Sequence, residues 1–167
     1  MPTETITTGY ARAGISGVVA GLRSQLPIAL LAVAANRGAF AVCAPAPLSL
    51  LRSRGALVTL GLAALELAGD KLPITPPRTN PASLAFRVTI GAIVGGAVGH
   101  EARSPVVACA LLGGASAAAS SFAGASYRRV ARDAMGYPDF VFAVAEDAAA
   151  IGLGAFAFRS VPPLLRQ

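Results

Sequence analysis

Glu66 and Glu146 are carboxylates set inside long runs of Ala, Leu, Val and Gly, and Arg23 is a cation in another such run. Glu66 and Asp70 are spaced i, i+4 and share one face of a helix. Glu146 is followed by Asp147, which on a helix points about 100° away from it. Carboxylates brought close together take up and release protons, which suits proton-coupled transport. They also hold divalent cations, which suits cation transport or chemistry on a lipid phosphate, although no particular metal or cofactor is specified. Arg23 is the natural counter-charge, able to bind an anion or to keep a carboxylate ionised. The candidate polar centre is therefore Arg23, Glu66 and Glu146, joined by Asp70 and Asp147 and edged by Lys71 and Arg128. A plainer arrangement is a static bridge from Arg23 to Glu66 or Glu146 that fixes helix register. Asp70, Lys71 and Arg87 then lie at an interface with their charged heads in water.

Other chemistry finds less support. His100 stands beside Glu101 with no second His or Cys at metal-ligand spacing, so a solvated histidine is expected. Ser120 and Ser121 have no His–acid partners to make a nucleophile. No glycine pattern follows a strand as a nucleotide loop requires. Cys43 and Cys109 are far apart and read as small packing residues. The first eleven residues lack a basic charge, and Arg23 interrupts the apolar run that a secretory signal needs.

The elements that hold these residues are helices in an apolar setting. Hydrophobic residues make up 54% of the 167 and charged residues 13%, against about 25% charged in soluble domains. So few charges leave apolar surface that lipid covers most simply. The net charge of +6 is scattered between apolar runs rather than gathered in a stripe, which argues for lipid head groups and against nucleic acid. The expectation is an all-α, polytopic membrane helix bundle forming one transmembrane domain over 1–167. Its five short spans lie near 14–35, 55–72, 84–99, 105–126 and 140–158, after a frayed Met1–Tyr10. The apolar stretch 39–51 carries Pro45 and Pro47 and is too short for an ordinary span, so it reads as re-entrant or interfacial. Arg23-Ser24-Gln25 followed by Pro27 suggests that the first span is kinked or broken. Four prolines make 73–81 an extended loop. Arg128 to Asp133 forms a basic turn, and Gly136-Tyr137-Pro138 stops one helix before the next begins.

Small residues at four-residue spacing mark packing faces: Gly17 and Gly21, then Gly91, Gly95 and Gly99, then Ser116, Ser120 and Gly124. Small residues followed by an arginine and then an acidic helix occur twice, first around Gly21, Arg23 and Glu66, then around Gly124, Arg128 and Glu146. This is a weak internal repeat of the inverted-repeat kind, and chance in an Ala/Gly-rich chain accounts for it equally well. Orientation stays open, because Arg12, Lys71, Arg78, Arg128, Arg129 and Arg132 on one side balance Arg37, Arg52, Arg54, Arg103, Arg159 and Arg166 on the other.

At Gly17-xxx-Gly21-Leu-Arg23-Ser24, at Glu66-xxx-Asp70-Lys71-Leu72-Pro73 and in the glycine-rich third span, the chain resembles a family of small bacterial integral membrane proteins. That family is known only as a domain of unknown function. The resemblance singles out Arg23, Glu66, Asp70 and Lys71, implies the inner (plasma) membrane and supplies no activity. The favoured expectation is a small transporter or channel-like protein, homo-oligomeric because five short helices enclose little polar volume alone. The alternatives are an enzyme acting on a lipid or isoprenoid phosphate, and a non-catalytic scaffold whose glycine faces are its working surface. Transport is favoured over catalysis. The substrate or ion is not readable from the sequence.

Overall fold

The computed structural model describes residues 2–37, 54–69, 79–135 and 139–158. The stretch 39–51, Cys43, Asp70, Lys71 and most of the proline-rich loop lie outside the described residues. Those that are described form six helices: α1 (Pro2–Leu22), α2 (Leu26–Asn36), α3 (Arg54–Gly69), α4 (Pro81–Glu101), α5 (Val106–Met135) and α6 (Asp139–Ala157). The fold is all-helical. Three stretches, Pro81–Glu101, Val106–Ala131 and Phe140–Ala157, are long and apolar enough to cross a membrane. By itself α3, at 16 residues, is about 24 Å long, somewhat short of a hydrocarbon core of about 30 Å.

The distribution of side chains is inverted relative to a soluble protein. Arg23 is fully buried, and Arg12, Arg87, Glu146 and Asp147 are buried with it, while Leu57, Val107 and Leu111 are 71%, 73% and 70% exposed. Charged groups inside and aliphatic groups outside are stable where the surroundings are hydrocarbon. Together with the three long apolar helices, this marks an integral membrane protein.

Several boundaries differ from the sequence expectation. Residues 2–10 are not a frayed lead-in, because α1 starts at Pro2, and proline at a first helical position has its φ already set. The basic stretch Arg128–Asp133 is not a turn but continues α5 to Met135; neither Gly nor Pro interrupts it before Gly136. On α4, the Asn80 side chain accepts from the Ala82 N–H, so the helix begins at Pro81, ahead of the expected Leu84. The first span, by contrast, is broken as its Arg23-Ser24-Gln25 triplet and Pro27 suggest, being divided between α1 and α2 at Arg23–Gln25.

The core is a close-packed trio of α1, α4 and α5. Gly113 of α5 lies where all three meet. A Cβ on Gly17 would sit 2.2 Å from the Gly113 carbonyl oxygen, and one on Gly91 would sit 2.6 Å from the same atom. Farther along, a Cβ on Gly21 would meet the Ala117 carbonyl oxygen at 2.3 Å, and one on Gly95 would meet that of Cys109 at 2.5 Å. Gly99 instead faces the Cys109 side chain, whose Cβ would lie 2.6 Å from an added Cβ. Such approaches leave room only for hydrogen, so the helices pack backbone to backbone and gain dispersion along the whole seam. The α4–α5 connection is equally tight. Arg103 adopts a left-handed φ of 50°, and the Ser104 N–H reaches back to the Gly99 carbonyl at 2.8 Å, a 6→1 closure of the helix end. Ala20, Leu31, Ile90, Val94, Val98 and Ala117 fill the apolar centre beside this seam.

Candidate functional site

The site is built on the break between α1 and α2. In an unbroken helix the Gln25 N–H would donate to the Gly21 carbonyl. Pro27 in the first turn of α2 supplies no N–H, and Gln25 makes no side-chain cap of its own, so the separated ends need outside partners. Other helices provide them. Glu66 of α3 accepts from the Ser24 N–H at 2.8 Å and the Ser24 hydroxyl at 2.7 Å through Oε1, and from the Gln25 N–H at 2.8 Å through Oε2. On the other side, the Gly21 carbonyl accepts from Arg87 Nη1 of α4 at 2.9 Å and from the Ser121 hydroxyl of α5 at 3.3 Å. Arg87 Nη2 and Glu66 Oε1 are 3.6 Å apart. Carboxylate and guanidinium thus splice the interrupted hydrogen bond, anion on the N–H side and cation on the carbonyl side, as the helix dipoles favour.

Two further arginine–carboxylate pairs flank the splice. Both Nε and Nη2 of Arg23 meet Asp147 Oδ1. Arg128 donates through Nε to Glu146 Oε2 at 2.7 Å. The adjacent acids of α6 therefore address different helices, Asp147 the end of α1 and Glu146 the later part of α5. Tyr127 packs edge-to-face on Phe142 beside this second pair, with centroids 6.1 Å apart. At the far end of α1, Arg12 donates to the Ala157 carbonyl at 2.7 Å. Along α1, Arg12, Val19 and Arg23 form the side that meets α6, whereas Gly17 and Gly21 form the side that meets α5.

These placements revise the expected pairing. The partner described for Arg23 is Asp147, in place of the expected Glu66 or Glu146. Arg87 is not at an interface with its head in water; it is buried and holds two partners at the break. Arg87, Ser121, Ser24 and Arg12 were not singled out from the sequence as parts of the centre. For Arg87 a signal existed, because it extends the series Gly91, Gly95, Gly99 by one step of four and so lies on the face that packs inward. Asp70 and Lys71 are outside the described residues, and His100 is exposed at the end of α4. Ser120 and Ser121 act as donors to carbonyls of α1, at Val18 and Gly21 respectively. Among the described residues, no three His, Cys, Asp or Glu side chains gather as a metal site. Glu66, Glu146 and Asp147 each face an arginine instead.

The family model described as "Domain of unknown function (DUF4126)" matches residues 11–165. The chain belongs to this family. The DUF4126 match reaches all six helices, from the third turn of α1 onward, and with them every residue of the splice and of both flanking pairs. No curated protein and no solved structure matches the chain.

Proposed function

We propose that this DUF4126 protein is a small transporter or channel-like protein whose moving proton or ion is handled by the arginine–carboxylate pairs around the α1–α2 break. The observation that carries this reading is the break itself. A helix interrupted inside the bundle, with both ends held by ionised side chains from other helices, is the arrangement in which discontinuous helices of transporters place their sites. Ionised residues deep in such a bundle cost roughly 3 kcal/mol each on insertion scales and mark ion and proton pathways. Here a proton or cation taken up by a carboxylate competes with its arginine. Uptake at Asp147 loosens its hold on Arg23 at the break, and uptake at Glu146 its hold on Arg128, so occupancy and helix position are coupled.

In this reading α1 and α2 make one interrupted crossing, α3 a second, and α4, α5 and α6 the remaining three. A homo-oligomer in the bacterial inner membrane would enlarge the polar interior that one chain encloses. The lipid-phosphate enzyme is less favoured, since Glu66, Glu146 and Asp147 each face an arginine. A scaffold working through its glycine faces is less favoured too, because Gly17, Gly21, Gly91, Gly95 and Gly99 all abut α5 of their own chain.

The test is flux in proteoliposomes carrying an internal pH reporter. A pH step should drive proton movement through the wild-type protein, and Asp147→Asn and Glu146→Gln should each reduce it at least tenfold. Wild-type flux in both variants, with the fold intact, overturns the proton role.

A further inference from the structure

The bundle divides into parts that are tied together very unequally. The trio α1, α4 and α5 is interlocked through glycine, whereas α3 packs chiefly on α2. Its buried residues Ala56, Thr59 and Ala63 form one stripe, and Glu66 continues that stripe at helical spacing. Leu57, Val58, Leu60, Leu62 and Leu65 are exposed, and a Cβ on Gly61 would meet nothing within 4 Å. α2 in turn seats by apolar contact against the trio, through Leu31 and Ala34 beside Ile90, Val94 and Val98, and against α6, through Leu30 beside Gly154. Such contacts slide without breaking hydrogen bonds.

Polar contacts at the break follow the same division. Glu66 of α3 holds the start of α2 by three bonds of 2.7–2.8 Å. Arg87 of α4 holds the end of α1 by a bond of 2.9 Å. The two groups face each other across 3.6 Å, longer than the 2.7–2.9 Å typical of a charge-assisted hydrogen bond. This is the longest of the polar contacts described at the break.

We infer that the Glu66–Arg87 contact is a latch, and that α2 and α3 move as one body against α1, α4 and α5 about the Arg23–Gln25 turn. Glu66 travels with the start of α2, Arg87 stays with the end of α1, and opening separates them. This deepens the transport reading by naming its gate, but the motion is measurable without any flux. In a Cys43→Ser, Cys109→Ala background in lipid nanodiscs, spin labels at Leu60→Cys on α3 and Leu111→Cys on α5 report the distance between the bodies. Labels at Ile93→Cys and Leu111→Cys report the distance within the trio. Glu66→Gln and Arg87→Gln remove one charge each, and both should add a second α3–α5 population displaced by about one helical turn, ~5 Å. The α4–α5 distance should stay at its wild-type value. If Arg87→Gln also disturbs the α4–α5 distance, Arg87→Lys keeps the charge on a shorter reach and should show the same second population. Unchanged α3–α5 distances in Glu66→Gln and in the folded Arg87 variant overturn the latch, whatever the flux. A second population together with undiminished flux in Asp147→Asn and Glu146→Gln supports the latch and overturns the proton role alone.

Discussion

Replacing single glycines by alanine separates close helix packing from mere helix composition. Alanine is favoured over glycine in a helix by about 1 kcal/mol, whatever surrounds it. At Gly152 a new Cβ would meet nothing within 4 Å, so Gly152→Ala should gain most of that amount. At Gly91 the same Cβ would lie 2.6 Å from the Gly113 carbonyl oxygen and 2.7 Å from the Ala117 Cβ. A carbon–oxygen contact relaxes at about 3.3 Å, so α4 and α5 must part by some 0.5–1 Å. A gap of that size costs a quarter to a half of the dispersion along the seam. Neither obstacle is the end of a flexible side chain, which places the cost near 3 kcal/mol, the upper end for overpacking. The matched comparison cancels the intrinsic preference, leaving Gly91→Ala about 3 kcal/mol less stable than Gly152→Ala. Reversible unfolding in mixed micelles of rising SDS fraction, followed by circular dichroism, measures this difference. Gly114→Ala, whose Cβ would find its nearest neighbours at 3.4–3.5 Å, should fall between the two. Agreement of Gly91→Ala with Gly152→Ala to within about 0.5 kcal/mol would show that the seam is not tightly packed and refute the reasoning.

The splice and its flanking pairs are open to similar measurement. Glu66→Ala strands the Ser24 and Gln25 N–H groups and should destabilise by about 2–6 kcal/mol, at 1–3 kcal/mol for each unsatisfied group; the same micelle titration reads it, and a loss under 1 kcal/mol contradicts the splice. Arg23→Met leaves Asp147 buried without its cation and should cost about 3–5 kcal/mol, most of it recovered when Asp147→Leu is added. A double-mutant cycle in which the two losses simply add would show that these residues do not form a pair. Ser121→Ala removes the weaker of two donors to Gly21, so its cost should be about 1 kcal/mol and visibly smaller than that of Arg87→Gln.

Much of the architecture was legible because the bilayer punishes ambiguity. Apolar runs, glycines four apart and Pro27 after a polar triplet each have one economical explanation in lipid. Boundaries were less legible where two local signals competed. Arg128–Asp133 looks like an interfacial turn by charge, yet nothing in it stops a helix, and the pairing of Arg128 with Glu146 carries α5 onward. Partner choice was the least legible. Glu146 and Asp147 differ by one position, and which of them meets Arg23 depends on the rotation of α6, set by the Val19 and Ala150 contact. Arg87 reads as interfacial because an arginine in the first turn of a span normally reaches for water. Its burial follows from the glycine face that it extends, a tertiary circumstance rather than a local one.

The ion pair between Arg23 and Asp147 spans 124 positions of sequence, which has a bearing on how the protein is made. At 5–20 residues per second, the ribosome adds the carboxylate roughly 6–25 s after the arginine. Glycine neighbours of α1 on α5 arrive almost as late. Of these six helices α1 is therefore made first and settles late, and in the interval Arg23 lacks the carboxylate that it meets in the folded bundle. The α4–α5 hairpin has no such delay, since its seam closes across a connection of a few residues. Assembly should start from that hairpin, with α1 waiting at the membrane surface or in the insertion machinery until α6 has emerged.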